Sequence, residues 1–195
     1  PGDAMTAEQV RRMRAISREF PELPVSAANS AAHFHGGETH FDWTRPGIML
    51  YGGTPLVGQQ GLDLGLKPVM RLESRVIAVR TLAPGETVGY GATWTAEAPT
   101  RMGIVEIGYG DGYPRHAPNG TPVAVDGRRC ELIGRVSMDM IAVSLEACPG
   151  AGPGSLVELW GETVSVDEVA QLSGTISYEL LTAVSPRVPR IHEAG

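Results

Sequence analysis

Val123-Ala124-Val125-Asp126-Gly127-Arg128-Arg129-Cys130-Glu131-Leu132-Ile133 consists of two strand-like runs joined by an Asp-Gly pair. Asp-Gly is favoured where both central residues of a two-residue turn need positive φ, the turn whose twist suits paired antiparallel strands. The stretch predicts a β-hairpin. Outward from it, residues 66–82 alternate apolar and polar side chains through Val69, Arg71, Leu72, Glu73, Val76, Ile77, Ala78 and Val79, and Ala83-Pro84-Gly85-Glu86 closes the run as a turn. Alternation of period two marks antiparallel strand with one face buried. Residues 102–107, 141–145 and 156–160 read as further strands, and the 25 glycines and 15 prolines supply the turns that many short strands need. Ser165-Val166-Asp167-Glu168 has the form of a capping box opening a short helix to about 173, and Ser177-Tyr178-Glu179-Leu180-Leu181 starts another that must stop before Pro186.

The residues before about 61 have a different texture. Thr6-Ala7-Glu8-Gln9 resembles a capping box, and Val10, Met13, Ile16 and Phe20 recur at helical spacing, so an amphipathic helix is expected to run to about Phe20, where Pro21 and Pro24 end it. Residues 23–28 read as a short buried strand, followed by a helix cap at Asn29 or Ser30, where backbone N–H groups can face an anion. Residues 42–52 read as a second strand-to-loop crossing. Helix, strand, helix, strand is α/β order, yet about 60 residues are only about two units of a (β/α)8 barrel, which takes roughly 250. The expected fold is therefore α/β plus all-β: residues 1–60 as the last part of a (β/α)8 barrel whose beginning lies on other residues, and residues 61–195 as a β-rich C-terminal domain.

Composition narrows the function. A net charge of -6 and a pI near 5.4, with no Lys/Arg tract, argue against a nucleic-acid surface. No apolar run approaches the roughly 20 residues that span a bilayer and no basic-then-apolar leader opens the chain, so no membrane partner and a cytoplasmic location are expected. Cys130 and Cys148 form no CxxC pattern and read as small core residues. His33, His35 and His40 lie close together but match no ligand spacing, so no metal site is expected. Arg45, taken alone, reads equally as a surface ion-pair partner. Gly108-Tyr109-Gly110-Asp111-Gly112-Tyr113-Pro114-Arg115 mimics a glycine-rich phosphate loop, but Pro114 stands where a dinucleotide fold needs a helix. In Val88-Gly89-Tyr90-Gly91-Ala92-Thr93-Trp94 a phenol sits between two glycines. Tyr90 is thus a candidate reactive hydroxyl, or simply a half-buried strand residue.

Ala28-Asn29-Ser30, Arg45-Pro46-Gly47-Ile48-Met49-Leu50-Tyr51-Gly52, Leu66-Lys67-Pro68-Val69-Met70, Gly89-Tyr90-Gly91-Ala92-Thr93, Gly108-Tyr109-Gly110-Asp111-Gly112, Gly134-Arg135-Val136-Ser137-Met138-Asp139 and Ile176-Ser177-Tyr178-Glu179, taken in order, resemble the C-terminal half of the bacterial alanine racemases. The resemblance implies a fold-type III pyridoxal 5'-phosphate enzyme that interconverts L- and D-alanine for cell-wall synthesis. It also implies a head-to-tail homodimer in which each site is completed by the partner's β-rich domain. Position by position, Tyr90 is similar to the catalytic tyrosine that moves the α-proton on the face used for the L-enantiomer. Arg45 is similar to the arginine facing the pyridine nitrogen, a permanently protonated donor that leaves the ring nitrogen unprotonated and the ring a weaker electron sink. Ser30, Gly47, Ile48 and Tyr178 resemble the phosphate cradle, with Asn29 beside it. Met138 resembles the residue whose backbone meets the substrate carboxylate in the partner's site, and Tyr109, Arg115, Arg135 and Asp139 resemble residues lining the channel by which substrate enters.

The resemblance also implies a lysine, early in the barrel, that holds the coenzyme covalently and serves the opposite face. Lys67, the only lysine here, has the context of a β-domain strand, so this chain alone is expected neither to bind the coenzyme covalently nor to racemise alanine. Ser137 stands where many members of the family have cysteine. Two other readings are a non-catalytic β-domain interaction module and a racemase of another small amino acid such as serine.

Overall fold

The computed structural model describes residues 2–193. They form two compact units, the first ending at Leu66 and the second beginning at Lys67. In the first, α1 (Gly2–Glu19) starts ahead of the Thr6 box, so Thr6 is not its cap. Glu8 instead accepts hydrogen bonds from Arg11 at 2.6 Å and Arg12 at 2.7 Å, and these guanidinium groups hold its carboxyl down to about 2. β1 (Ser26–Asn29) is shorter than the expected strand over 23–28, and of its residues only Ala28 is buried. Pro24 has no N–H to give to a ladder, which keeps pairing from extending back through it. β1 runs parallel to β2 (Trp43–Arg45), with Ala28 opposite Thr44 and Asn29 opposite Arg45. α2 (Ser30–Phe34) follows β1 directly and is capped by Asn29, whose Oδ1 accepts the Ala32 N–H at 2.9 Å.

In the second unit the alternating run becomes β3 (Leu72–Leu82), which begins six residues later than the sequence pattern did, beyond Pro68. A short hairpin, β4 (Thr87–Val88) and β5 (Trp94–Thr95), leads to β6 (Thr100–Val105). β7 (Pro122–Val125) and β8 (Arg128–Ile133) are joined by Asp126 and Gly127 at φ 46° and 77°, the double positive-φ turn that the dipeptide predicts. β9 (Ile141–Ser144) and β10 (Leu156–Trp160) complete a closed antiparallel barrel in the order β10-β3-β6-β9-β8-β7. Closure leaves no edge strand open. Inside, Val76, Val105, Val125, Leu132, Val143 and Val157 form one buried cluster. On the outer face, Met102, Ile133 and Ala142 are covered by Leu82, Val88 and Ala96, so the β4–β5 hairpin packs against the barrel wall. α3 (Val166–Leu172), capped by Ser165, and α4 (Ser177–Ala183) follow the barrel. Cys130 and Cys148 are both buried.

Tyr113 and Trp160 stack in this core with ring centroids 6.2 Å apart, and neither Tyr113 Oη nor Trp160 Nε1 has a hydrogen-bond partner among the described residues. Burial pushes the Tyr113 phenol well above its ordinary pKa. Deleting that hydroxyl removes a buried, unpaired polar group, so Tyr113→Phe is expected to stabilise the second unit by about 1–3 kcal/mol at pH 7. The pH dependence follows from the raised folded pKa: the neutral phenol's contribution is present below about pH 10 and is lost as pH rises further, by at most about 1.4 kcal/mol per pH unit, because the unfolded phenol ionises first. Urea denaturation at pH 7 and above pH 10 checks both effects. Equal stability of the two forms at pH 7, or an alkaline loss as large in the Phe variant as in the unchanged chain, rules this account out.

Candidate active site

Within the first unit, the residues expected to hold a phosphate converge where the two parallel strands end. Asn29 closes β1 and Arg45 closes β2, and the register sets them side by side. Ser30, buried at the start of α2, accepts the Gly47 N–H on its Oγ at 2.8 Å, which ties the loop after β1 to the loop after β2. Ile48 is buried beside it, whereas a Cβ on Gly47 would meet nothing within 4 Å, so the backbone there faces open space. Carboxyl ends of parallel strands are where open α/β sheets bind ligands. Arg45 folds back onto β1, donating from Nη1 to the Ser26 carbonyl and to Ser26 Oγ and from Nη2 to the Ala27 carbonyl at 3.0 Å. It is therefore a fixed group and not a loose surface arginine. A groove of about 390 Å³ along α1 includes Arg45 and Ala28 but neither Ser30 nor Gly47.

In the second unit Tyr90 lies at the tip of the β4–β5 hairpin and is 72% exposed, which overturns the half-buried strand reading of this residue. Gly89 and Gly91, at φ 75° and 76°, and Ala92 at 47° form the tip. The tip rests on the loop after β8. A Cβ on Gly89 would lie 2.7 Å from the Arg135 amide nitrogen, and one on Gly134 would lie 2.7 Å from Val88 Cγ1. The same loop continues to Ser137, Met138 and Asp139, where Ser137 closes a tight turn through its N–H to the Met140 carbonyl at 3.0 Å. Tyr109 and Gly110 donate their N–H groups to the carbonyls of Ser137 at 3.0 Å and Met138 at 2.8 Å. The structure thus places Tyr90, Arg135, Met138, Asp139 and Tyr109 on three loops, of which the one after β8 touches both of the others. Arg115 is exposed on the loop that follows Tyr113, and among the described residues no hydrogen bond or ion pair joins it to these residues; Tyr178 lies on the first turn of α4, its phenol pKa raised by partial burial.

Two residues that hold these loops were not read from the sequence. Arg187 donates from Nε to Asp111 Oδ1 at 2.8 Å and from Nη2 to Asp139 Oδ1 at 2.7 Å, so the segment after α4 pins the 108–112 loop to the 137–139 loop. Asp111 first, and then Asp139, raise the Arg187 pKa further. Asn119 donates from Nδ2 to the Thr93 carbonyl at 2.8 Å and accepts the Gly134 N–H on Oδ1 at 2.7 Å. Each bond joins residues far apart in the chain, and no local pattern marks either side chain.

Polar groups at the ends of parallel strands, followed in the chain by a closed antiparallel barrel that carries an exposed tyrosine on a glycine-flanked hairpin, define a chain of α/β-plus-β-barrel class. The family description "Alanine racemase, C-terminal domain" matches residues 69–192, and "Alanine racemase, N-terminal domain" matches residues 1–55. Alanine racemase of Marinobacter nauticus is 57% identical over 189 residues, covering 97% of this chain and 53% of that protein. The crystal structure of biosynthetic alanine racemase from Pseudomonas aeruginosa superposes with a TM-score of 0.85 at 57% identity, over 88% of this chain and 48% of that one. The structure of alanine racemase from Bartonella henselae with covalently bound pyridoxal phosphate gives a TM-score of 0.85 at 31% identity, over 97% of this chain and 52% of that one. This chain belongs to the alanine racemase family. It spans about half the length of the curated relatives it matches. Among the described residues no helix is long and apolar enough to cross a membrane.

Proposed function

We propose that this chain contributes one part of a pyridoxal-phosphate-dependent alanine racemase, an isomerase that interconverts L- and D-alanine and so supplies D-alanine for cell-wall synthesis. In this reading residues 1–60 close a (β/α)8 barrel and residues 61–195 are the β-rich domain that follows it. The observation that carries the proposal is the Ser30–Gly47 hydrogen bond at the carboxyl ends of β1 and β2. It joins two residues assigned to one phosphate from separate segments of the sequence, and the Ser30 hydroxyl keeps its own hydrogen to donate to an anion.

The residues fit the coenzyme in kind. Ser30, Gly47 and Ile48 would hold its phosphate, with Asn29 fixing the turn beside Ser30, and Arg45, pinned on β1, would be the donor for the pyridine nitrogen. When bound, the coenzyme supplies the electron sink that acidifies the substrate's α-C–H bond. Tyr90 then accepts or returns the proton on the face used for the L-enantiomer, as a general base in one direction and a general acid in the other. The Met138 N–H meets the substrate carboxylate, its carbonyl being already occupied by Gly110. Tyr109, Arg115, Arg135 and Asp139 line the route inward. Tyr90, Met138, Met140 and Tyr109 are all exposed on or beside contacting loops, an apolar and aromatic group of a kind that interfaces favour. This supports a head-to-tail homodimer in which these loops complete the partner's site.

Lys67 is exposed, precedes Pro68 and belongs to none of these loops, so the proposal assigns the covalent lysine to residues outside this sequence. Incubation of the isolated 195-residue chain with stoichiometric pyridoxal phosphate, followed by borohydride reduction and mass spectrometry, is expected to give no stable adduct, and the chain alone no racemisation. A stoichiometric adduct at Lys67, or turnover of either enantiomer, would overturn that assignment.

A further inference from the structure

We infer that Asn119 is the residue that positions Tyr90 for proton transfer. The inference rests on the role of Tyr90 proposed above. The hairpin carrying Tyr90 has two strand pairs, Thr87 with Thr95 and Val88 with Trp94, and at its base Ala96 accepts the Gly85 N–H and donates its own to the Glu86 carbonyl, each at 2.8 Å. Ladders that short are marginal without packing against something else. The Tyr90 phenol has no hydrogen-bond partner among the described residues, so within them its direction is set by the backbone of the tip. That backbone is fixed at two points. One leg is wedged by Gly89 against the Arg135 amide, with no room for even a Cβ. The other leg is tied by the Thr93 carbonyl to Asn119 Nδ2.

The same amide accepts the N–H of Gly134, the residue next to Arg135. Asn119 therefore closes a ring of contacts running from Thr93 through Asn119, Gly134, Arg135 and Gly89 to Tyr90. Only a side chain with a donor and an acceptor on one planar head can make both links at once. Asn119 is itself anchored, since the flanking Gly120 donates its N–H to the Leu132 carbonyl at 2.9 Å and Thr121 donates to the Pro118 carbonyl at 3.1 Å. The amide thus transmits the position of the barrel wall to the tyrosine. Without the Thr93 link, the hairpin keeps its apolar packing through Val88 and Ala96 but its tip can swing.

The test uses the racemase that contains this chain, with Tyr90→Phe, Asn119→Ala, Asn119→Asp and the Tyr90→Phe/Asn119→Ala double variant. A misplacement of about 1 Å lowers a positioned proton transfer by up to roughly 100-fold, so Asn119→Ala is expected to lower kcat by about 10- to 100-fold with KM changed much less. Asn119→Asp keeps the acceptor for Gly134 and loses the donor to Thr93, so it is expected to show a comparable kcat loss with a thermal midpoint like that of the unchanged enzyme. In the Tyr90→Phe background, Asn119→Ala is expected to change kcat by less than about twofold, because a residue acting through Tyr90 has nothing left to act on. The isotope effect on α-deuterated L-alanine should rise in Asn119→Ala while that on D-alanine does not. Full additivity in the double variant, or unchanged kcat in Asn119→Asp, would overturn the inference while leaving Tyr90's role intact. An unchanged kcat in Tyr90→Phe would overturn that role and the inference with it.

Discussion

If Tyr90 has the role proposed for it, Tyr90→Phe is expected to lower kcat of the racemase containing this chain by about 100- to 10,000-fold, the range that a general acid–base group contributes. The stability of the second unit stays within about 0.5 kcal/mol of its original value, as for a surface change that removes no contact. The first half rests on the role proposed for Tyr90 and the second on its surroundings. The ring is 72% exposed and its hydroxyl makes no hydrogen bond among the described residues, so deleting one oxygen disturbs neither the hairpin nor the barrel. What is deleted is the only atom of the tip able to exchange a proton. L- and D-alanine are mirror images, so their equilibrium constant is one, and kcat/KM must fall by the same factor in both directions. Steady-state assays of both enantiomers with a denaturant melt of the same preparation decide the matter. A Phe variant that turns over at the original rate would remove Tyr90 from the chemistry, and one that loses activity only by losing stability would make it a structural residue.

How far this arrangement could be read beforehand depended on how local its causes are. The turn at Asp126-Gly127 was legible because two adjacent residues contain the whole reason for it, and 156–160 was legible because an apolar run between turns has few alternatives. Three readings missed for equally physical reasons. The Thr6 box had the right spacing for a cap, but the helix already existed upstream and Glu8 was taken by Arg11 and Arg12. The strand over 23–28 and the first residues of 66–82 carried suitable side chains but contained Pro24 and Pro68, and both strands begin only after them. The exposure of Tyr90 was ambiguous, since glycines on either side suit both a strand and a hairpin tip. The family motifs named Tyr90, Arg135, Met138 and Asp139, but nothing local shows that Asn119 reaches Thr93 and Gly134, or that Arg187 reaches Asp111 and Asp139. Those partners lie 15 to 76 residues away, and only the barrel brings them together.

Gly89 and Gly91 look equivalent in sequence and both have positive φ, yet substitution by alanine is expected to separate them sharply. At Gly91 the new Cβ meets only Arg135 Nη1 at 3.8 Å and Thr93 Cγ2 at 3.9 Å, ordinary contacts with movable side chains. Its cost is the left-handed backbone alone, about 1–2 kcal/mol. At Gly89 the Cβ would stand 2.7 Å from the Arg135 backbone nitrogen, and that backbone has nowhere to retreat. Gly134 beside it is already pressed on Val88, and its N–H is held by Asn119. Strain and overpacking then add, giving about 2–5 kcal/mol. Because relief can come only by parting the hairpin tip from the loop after β8, Gly89→Ala should also lose kcat by at least as much as Asn119→Ala, whereas Gly91→Ala should keep more of it. Urea denaturation and kcat measured on both variants test the comparison. Equal destabilisation would show that φ alone governs the tip, and then the contact of Gly89 with Arg135 could not be what aims the phenol.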